Sequence, residues 1–156
     1  MSRIANRLAE LGITLPPVVA PVAAYVPALL DGDRMWVSGQ LPLVEGRLPA
    51  TGKVGAGPGL VAAQVAADLA RICALNALAA AVSVLDDLDR IVRIVKLVGF
   101  VASDPSFTGQ PGVVNGASAL LGEVFGEIGI HARSAVGVTV LPLDSPVEVE
   151  SVATYR

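Results

Sequence analysis

Apolar residues recur at helical spacing in two long segments of the chain. In the first, Gln64, Asp68 and Arg71 fall on one side of a helix and the apolar positions fall near the opposite face: Val61, Val65, Leu69, Ile72 and Ala79. Proline is common in the first turn of a helix, so this helix is predicted to begin at Pro58. A second helix is predicted from about Gly112, with an apolar stripe at the same spacing: Val113, Ala117, Leu120, Leu121, Val124 and Ile128.

Other segments show the patterns of β-strands. Residues 91–101 are apolar at both odd and even positions, which predicts a strand covered on both faces, the second face by neighbouring subunits. Tyr25–Leu30 and Met35–Val37 flank an Asp-Gly-Asp turn and are predicted to form a hairpin. Turns at residues 45–46 and 51–52 predict a second, looser hairpin.

Two further apolar runs with interspersed charges, 131–138 and 147–150, lie near the C-terminus. They are separated by the turn Pro142-Leu143-Asp144-Ser145-Pro146, so they are predicted to be adjacent strands. The order of elements predicts an α+β fold in which the helices cover one face of the sheet.

The length and composition of the chain indicate its number of domains and its state of assembly. A chain of 156 residues is expected to form one domain, 1–156, in which residues 1–20 are an N-terminal extension with a short amphipathic helix. The chain is 53% hydrophobic, only 4% aromatic and 16% charged. A monomer with so few charges would expose large apolar patches, so we expect an oligomer.

The chain carries no sequence that we interpret as a membrane span. Its most apolar run, 72–85, contains Asn76 and Ser83 and is too short to cross a bilayer. The first ten residues lack the continuous apolar core of a signal peptide. We therefore expect a cytoplasmic protein without membrane contact.

Several kinds of site are disfavoured. The net charge of −3 argues against a nucleic-acid partner, which needs clustered Lys and Arg. One cysteine, Cys73, and one histidine, His131, argue against a disulfide and against most metal sites. The run 55–59 resembles part of a dinucleotide fingerprint, but Leu60 replaces its last glycine and Pro58 removes an N–H. Cys73 is interpreted as inert core packing.

The charges of the two C-terminal runs provide the candidate chemistry. The guanidinium of Arg133 can grip a carboxylate with two hydrogen bonds, and the carboxylate of Glu148 can orient water or move protons. On adjacent strands the two side chains would reach one cleft and suit a small anionic substrate. An ordinary cross-strand ion pair is the alternative. Glu150, on the same strand face by alternation, is the rival of Glu148 for its role.

Three polar residues are further candidates with structural alternatives. Tyr25 and Ser38 lie on the first two predicted strands, where each hydroxyl could simply bind the backbone. Asn115 falls one position away from the apolar stripe and could belong to the first turn of its helix. His131 lies two residues before Arg133 and could line the same cleft or pack at a strand entry.

Three short motifs occur in a fixed order along the chain. They are Val37-Ser38-Gly39-Gln40-Leu41-Pro42, Ala132-Arg133-Ser134, and Leu141-Pro142 followed by Val147-Glu148-Val149-Glu150. In this order they resemble the RidA/YjgF family of reactive-intermediate deaminases. Glu148 lies 15 positions after Arg133, and Tyr25 lies 13 before Ser38, as in the family pattern. The resemblance covers roughly residues 25–154.

The resemblance implies a chorismate-mutase-like α+β fold, with a mixed sheet and two main helices on one face, assembled as a homotrimer with clefts between subunits. It implies hydrolysis of 2-iminoacids or enamines to 2-ketoacids and ammonia without a cofactor. Arg133 would clamp the substrate carboxylate, and Glu148 would position water. The implied substrate-binding positions are Tyr25, Ser38, Asn115 and Ala135.

The chain also departs from the family pattern. Archetypal deaminases of the family carry Cys where this chain has Ala135, and Gly-Pro where it has Ala23-Ala24. The altered pocket around Ala135 motivates a second hypothesis, a non-catalytic protein that binds a small carboxylate metabolite. A third, ribonuclease activity, is disfavoured by the negative net charge, the sparse aromatic residues and the lone histidine.

Overall fold

The computed structural model of the protein describes residues 2–18 and 24–156. Within these residues the regular elements are α1 (Arg3–Glu10), β1 (Ala28–Asp31), β2 (Arg34–Gln40), α2 (Ala63–Leu85), β3 (Ile91–Ala102), α3 (Gln110–Phe125), β4 (Ala132–Val138) and β5 (Val147–Tyr155). Short 3₁₀ turns occur at Leu88–Arg90, Gly126–Gly129 and Pro142–Asp144.

The five strands form one mixed sheet. Their order is β1-β2-β5-β3-β4, in which β3 and β4 run parallel and the other neighbours run antiparallel. α2 and α3 pack on one face of this sheet and bury its inward side chains. The predicted α+β class, with two main helices on one face of a mixed sheet, is confirmed.

The prediction that the two C-terminal strands are adjacent is wrong. β3 lies between β4 and β5 and pairs with both of them. Residues 139–146 carry the chain past β3, a lateral step of about 10 Å that eight residues span easily. A short connection with turn residues therefore did not imply a hairpin, because β3 takes the place between the two strands.

Several element boundaries differ from prediction. β1 begins at Ala28 rather than Tyr25, because Pro27 has no N–H for the ladder. α2 begins at Ala63 rather than Pro58, since Gly57 and Gly59, with φ of +124° and +76°, form a turn there. α3 begins slightly early, at Gln110.

The predicted looser hairpin is reduced to one turn. Glu45 and Gly46 have positive φ and close a single bridge between Val44 and Arg47. The second predicted turn forms no hairpin, because Val54, which follows it, bridges to Val61 and Ser103 instead.

α2 and α3 approach each other closely through small residues. A Cβ at Gly116 of α3 would collide with the carbonyl of Ala67 on α2, so only glycine fits at this crossing. α2 is long and apolar enough to span a membrane by length and composition alone, but 61% of its most apolar window is buried inside the fold. α2 is therefore built as a core helix.

The short helix α1 is tied to the rest of the fold. The Asp89 carboxylate accepts hydrogen bonds from the backbone N–H groups of Arg3 and Ile4, at 2.6 and 2.8 Å, and so caps the start of this helix. Ile4 and Leu8 are buried on its inner face. The predicted amphipathic helix is confirmed over Arg3–Glu10.

The face of the sheet away from α2 and α3 is here called the open face. Along β3, Leu97 and Val101 are buried against the helices, whereas Val98 and Phe100, on the open face, are only partly buried. Trp36 of β2 is 47% exposed. One chain thus covers one face of β3, and covering of the other face by neighbouring subunits stays a prediction.

Candidate functional site

The candidate residues fall into two separate clusters. The arginine cluster consists of Arg133 on β4 with the residues around it: Asn115 and Ser118 on α3, His131 before β4, and Ala135. The glutamate cluster consists of Glu148 on β5 with Gly39 of β2 and Glu150 of β5, which lie beside it. The clusters lie in different parts of the sheet because β4 forms one edge and β5 lies at its centre.

Arg133 points to the helix side of the sheet. It pairs with Leu97, which is buried against the helices, and paired residues share a face. Its NH1 group donates to Oδ1 of Asn115 at 2.8 Å and to Oγ of Ser118 at 3.2 Å. Its NH2 group donates to the carbonyl of Pro111 at 3.3 Å. α3 therefore holds one side of the guanidinium with three neutral acceptors.

The bonds to α3 leave binding capacity on Arg133. A guanidinium has five N–H donors, so three bonds leave two of them for another partner. Within residues 2–18 and 24–156, no carboxylate forms an ion pair with Arg133. The cluster is thus an oriented positive charge without a counter-ion in this part of the chain, which is what an anion site requires.

A hydrogen-bonded chain continues behind Arg133. Oγ of Ser118 lies 3.0 Å from Nε2 of His131, whose Nδ1 lies 2.6 Å from the carbonyl of Gly129. The sequence reasoning missed Ser118. The available signal was its spacing: Asn115 and Ser118 are three residues apart, so they share a side of the helix within an otherwise apolar pattern.

Ala135 lies two residues after Arg133, on the same side of β4. It pairs with Gly99 and packs at the margin of the core. A Cβ at Gly99 would collide with Val114 of α3, so the helix lies very close to the sheet here. The absence of a side chain at Gly99 makes room for this close approach of α3.

Glu148 lies on the open face. It pairs with Phe100, and its carboxylate passes over Gly39 of β2. A Cβ at Gly39 would collide with Oε1 of Glu148, so the glycine makes the room that this carboxylate occupies. Gly39 lies where the pairing of β2 with β5 shifts register, between Val37 and Gln40.

The surroundings of Glu148 change its acidity. Partial burial raises the pKa of this carboxyl group, and the negative charge of Glu150 raises it further. Burial also raises the pKa of the Cys73 thiol, to which Glu148 adds a smaller effect. The thiol is therefore kept in its protonated, unreactive form, in agreement with its interpretation as a packing residue.

Ser38 precedes Gly39 in the chain and is linked by hydrogen bonds to the segment after Tyr25. Oγ of Ser38 donates to the carbonyl of Val26 at 2.7 Å, and the Ser38 N–H donates to Pro27 at 3.0 Å. Tyr25 precedes β1 rather than lying on it, and it is 46% exposed. Ser38 thus holds the segment that carries Tyr25. Of the Ala23-Ala24 departure, Ala23 lies outside the described residues.

Within one chain, Arg133 and Glu148 do not share a cleft. They lie two strands apart, are offset by three residues along β3, and face opposite sides of the sheet. Their Cα atoms are on the order of 14 Å apart by sheet geometry. The prediction that adjacent strands bring them together is wrong, because β3 separates the strands. A cross-strand ion pair between them is excluded in the chain for the same reason.

The described residues contain no group of three or more His, Cys, Asp or Glu side chains arranged to hold a metal ion. The acidic pair of the glutamate cluster stands without a third ligand, and the only histidine belongs to the other cluster. The two clusters themselves provide a guanidinium, an amide, two carboxyl groups, a serine hydroxyl and an imidazole.

Comparison with known proteins identifies relatives along almost the whole chain. Protein TCP17 of Trypanosoma cruzi is 46% identical over 150 residues, which cover 96% of this chain and 92% of that protein. The crystal structure of Atu1372 from Agrobacterium tumefaciens, a protein of unknown function, superposes with a TM-score of 0.89 at 44% identity, covering 98% of this chain and 92% of that one.

The fold extends to more distant proteins. E. coli TdcF, solved with bound serine, has a TM-score of 0.64 at 22% identity, covering 91% of this chain and 94% of that one, which shows a shared fold. The family described as "YjgF/chorismate mutase-like, putative endoribonuclease" matches residues 5–154. With this match and the identity to TCP17, the chain belongs to the YjgF/chorismate mutase-like family.

Proposed function

We propose that the protein is a deaminase of 2-iminoacids or their enamine tautomers. In this reaction water adds to the C=N carbon, the C–N bond breaks, and a 2-ketoacid and ammonia leave. Such imines hydrolyse in water unaided, so an enzyme needs mainly to hold the substrate and manage one proton. The chain's own residues suffice for both tasks, and the proposal requires no cofactor.

The observation that carries the proposal is the oriented charge of Arg133, which forms no ion pair within residues 2–18 and 24–156. Neutral acceptors on α3 fix the guanidinium without neutralising it, so its remaining donors suit a small carboxylate. A substrate held in this way keeps its C=N carbon at a fixed distance from the arginine. Asn115 acts in this proposal by positioning Arg133, and Ala135 lines the surface beside it.

Glu148 is proposed to position the attacking water and to move its proton. The raised pKa makes its carboxylate a stronger base than an exposed glutamate, so it can take a proton from water and return it to the departing nitrogen. Tyr25 and Ser38 are proposed to line the substrate cleft beside it. Glu150 tunes Glu148 through its charge rather than replacing it.

The separation of the clusters implies that two chains complete one site. Arg133 and Glu148 face opposite sides of the sheet, so a site containing both needs the glutamate cluster of a second copy. The open face offers an apolar surface for such an assembly, with Leu29 and Trp36 about half exposed side by side. A homotrimer with clefts between subunits, bound to small carboxylate metabolites, meets both requirements.

The proposal is tested by making 2-iminoacids in place. An amino-acid oxidase acts on several amino acids, and the release of 2-ketoacid is compared with wild type, Arg133→Ala, Arg71→Ala and no protein. Arg71 is a matched control because it pairs with Glu123 on the outer surface of the helices. We expect acceleration by wild type and Arg71→Ala, and loss of about 100-fold in Arg133→Ala. Equal rates with wild type and Arg133→Ala would reject the proposal.

A second candidate is a carboxylate-binding protein without catalysis. It is favoured by Ala135, which stands where archetypal deaminases of the family carry Cys, and by the bound serine in the structure of TdcF. Calorimetric titration with pyruvate separates the two functions. Saturable binding with no acceleration of imine hydrolysis across the panel would replace the deaminase by the binding protein.

The family's description also includes endoribonuclease activity. The net charge of −3 and the 4% aromatic content provide few groups for phosphates or bases, so we expect no RNA cleavage. Incubation of purified protein with single-stranded RNA checks this. Cleavage that disappears in Arg133→Ala would reverse the expectation.

A further inference from the structure

A hydroxyl and an imidazole stand directly behind the proposed carboxylate clamp. NH1 of Arg133 lies 3.2 Å from Oγ of Ser118, and that oxygen lies 3.0 Å from Nε2 of His131. Nδ1 of His131 lies 2.6 Å from the carbonyl oxygen of Gly129. The four groups form one continuous hydrogen-bonded chain that ends on a backbone atom, so the position of each depends on the next.

The direction of these hydrogen bonds follows from their two ends. A carbonyl oxygen only accepts, so Nδ1 of His131 carries a hydrogen and donates to Gly129. In the neutral ring Nε2 is then an acceptor, and the hydroxyl of Ser118 donates to it. A guanidinium only donates, so the lone pairs of Ser118 receive Arg133. Neutral His131 thus orients the serine as an acceptor for the arginine.

We propose that Ser118 and His131 are positioning residues of the anion site, and that they couple carboxylate binding at Arg133 to proton uptake at His131. This inference rests on the proposed function, because it takes Arg133 as the group that binds the substrate carboxylate. It assigns a role to the chain's only histidine, which neither the deaminase chemistry nor the packing of the core requires.

The sign of the coupling follows from the charges around the ring. In the empty site, a protonated His131 and Arg133 would both donate to the one oxygen of Ser118, and the two positive charges repel each other. A carboxylate bound to Arg133 offsets this repulsion and favours the protonated imidazole. By linkage, the ligand then binds more tightly as pH falls and His131 gains its proton.

The other charged groups near the ring do not reverse this sign. β3 carries Arg93, whose NH1 lies 3.4 Å from the carbonyl of Ile130, and Lys96, which donates to Ser134. The 3₁₀ turn before β4 carries Glu127. These charges are the same in the free and bound protein, so they shift the pH at which the coupling acts but not its direction. α3 presents only neutral groups here, because its one charged residue, Glu123, pairs with Arg71 on the outer surface.

The test uses the fact that the chain contains one histidine. The ring resonances of His131 need no assignment, so NMR follows its tautomer and its titration between about pH 5 and 8, with and without saturating pyruvate. We expect the Nδ1–H tautomer and a titration midpoint that moves upward with pyruvate. The wild-type protein should bind pyruvate on the order of fivefold more tightly near pH 5.5 than near pH 8.

Two variants separate the coupling from general damage. His131→Gln keeps a hydrogen-bonding side chain but cannot titrate, so its pyruvate affinity should vary less than about twofold over this range. Ser118→Ala should weaken pyruvate binding about fivefold and change the titration of His131. Ser83→Ala is the matched control, since it removes a helical serine that bonds only its own helix, at Ala80.

Each negative result contradicts a different part of the proposal. If the wild type binds pyruvate but the midpoint of His131 does not move, or if His131→Gln keeps the pH dependence, the coupling is overturned and the clamp stands. If the wild type binds neither pyruvate nor 2-oxobutyrate, the anion site and the coupling built on it fail together. An Nε2–H tautomer in the neutral ring would overturn the relay whatever the ligand data show.

Discussion

The arginine and glutamate clusters place their charged residues in opposite electrostatic environments. Arg133 lies on an edge strand, where α3 surrounds it with neutral oxygen acceptors and no carboxylate of the described residues pairs with it. Glu148 lies on a central strand, partly buried beside a like charge, Glu150. The neutral surroundings of Arg133 leave its positive charge uncompensated. The surroundings of Glu148 raise the pKa of its carboxyl group and so disfavour its charged form.

In the proposed function, the difference separates the environment of a binding group, Arg133, from that of a proton-transfer group, Glu148. A clamp for anions needs a permanent charge held in one orientation, which neutral hydrogen bonds provide. A group that exchanges protons near neutral pH needs a shifted pKa, which burial and a like charge provide. Since one chain keeps these two environments on opposite faces of a sheet, the comparison predicts that function requires both from different copies.

The largest expected effect comes from mixing two inactive variants. Arg133→Ala and Glu148→Gln, each alone, should have background deaminase activity. Co-expressed in equal amounts, they should recover about a quarter of wild-type activity per site, because random assembly pairs an intact arginine with an intact neighbouring glutamate in that fraction of clefts. The rate of 2-ketoacid release measures it. No recovery in mixed oligomers would overturn the proposal that Arg133 of one chain and Glu148 of another complete one site.

Adding a negative charge to the arginine cluster should neutralise Arg133 and weaken the binding of anions. In Asn115→Asp a carboxylate replaces the oxygen that lies 2.8 Å from NH1 of Arg133, and it neutralises the guanidinium. Pyruvate affinity, measured by calorimetry, should fall on the order of 30-fold. Gln64→Glu, which adds the same charge on the exposed part of α2, is the control and should leave the affinity unchanged. Full affinity in Asn115→Asp would remove Arg133 from the anion site.

Displacing the carboxylate of the glutamate cluster should separate turnover from binding. In Gly39→Ala the new Cβ occupies the place of Oε1 of Glu148, so kcat should fall about tenfold while pyruvate affinity changes less than about twofold. Gly122→Ala is the control, since no atom lies within 4 Å of its added Cβ on α3. Helix propensity predicts that it stabilises the fold by about 0.5–1 kcal/mol. Wild-type turnover in Gly39→Ala would mean that the position of Glu148 is unimportant.

The smallest effect is on stability. The pKa of Glu148 is raised in the fold, so the folded state holds its proton more tightly than the unfolded chain does. Stability from this group is therefore full below its ordinary value of 4.5 and is lost as pH rises through the raised pKa. Relative to wild type, Glu148→Gln should gain a few degrees of Tm as the pH rises above the ordinary value of 4.5. Exposed Glu127→Gln is the control. An equal Tm difference at all pH values would contradict the burial of Glu148.

Much of the fold was predictable because local patterns report burial. The apolar stripe of α3 and the run of β3, apolar at both odd and even positions, identified these elements to within a few residues. Sequence motifs also brought out Arg133, Glu148, Ser38 and Asn115 as candidates. Ser118 escaped notice, because a serine within a helix acquires meaning only from the side chain it meets on another element.

The sequence by itself determined the class of the fold, the order of its elements and the residue types available for chemistry. Hydrophobic spacing, turn residues and short motifs are local, so the chain encodes them directly. Only the tertiary structure decided which strands are neighbours. Placing β3 between β4 and β5 put Arg133 and Glu148 on opposite faces of the sheet, and it brought Ser118 and His131 behind the arginine. Such pairings depend on contacts between segments that are distant in the sequence. These segments compete for the same buried positions, so no single stretch of sequence determines the outcome.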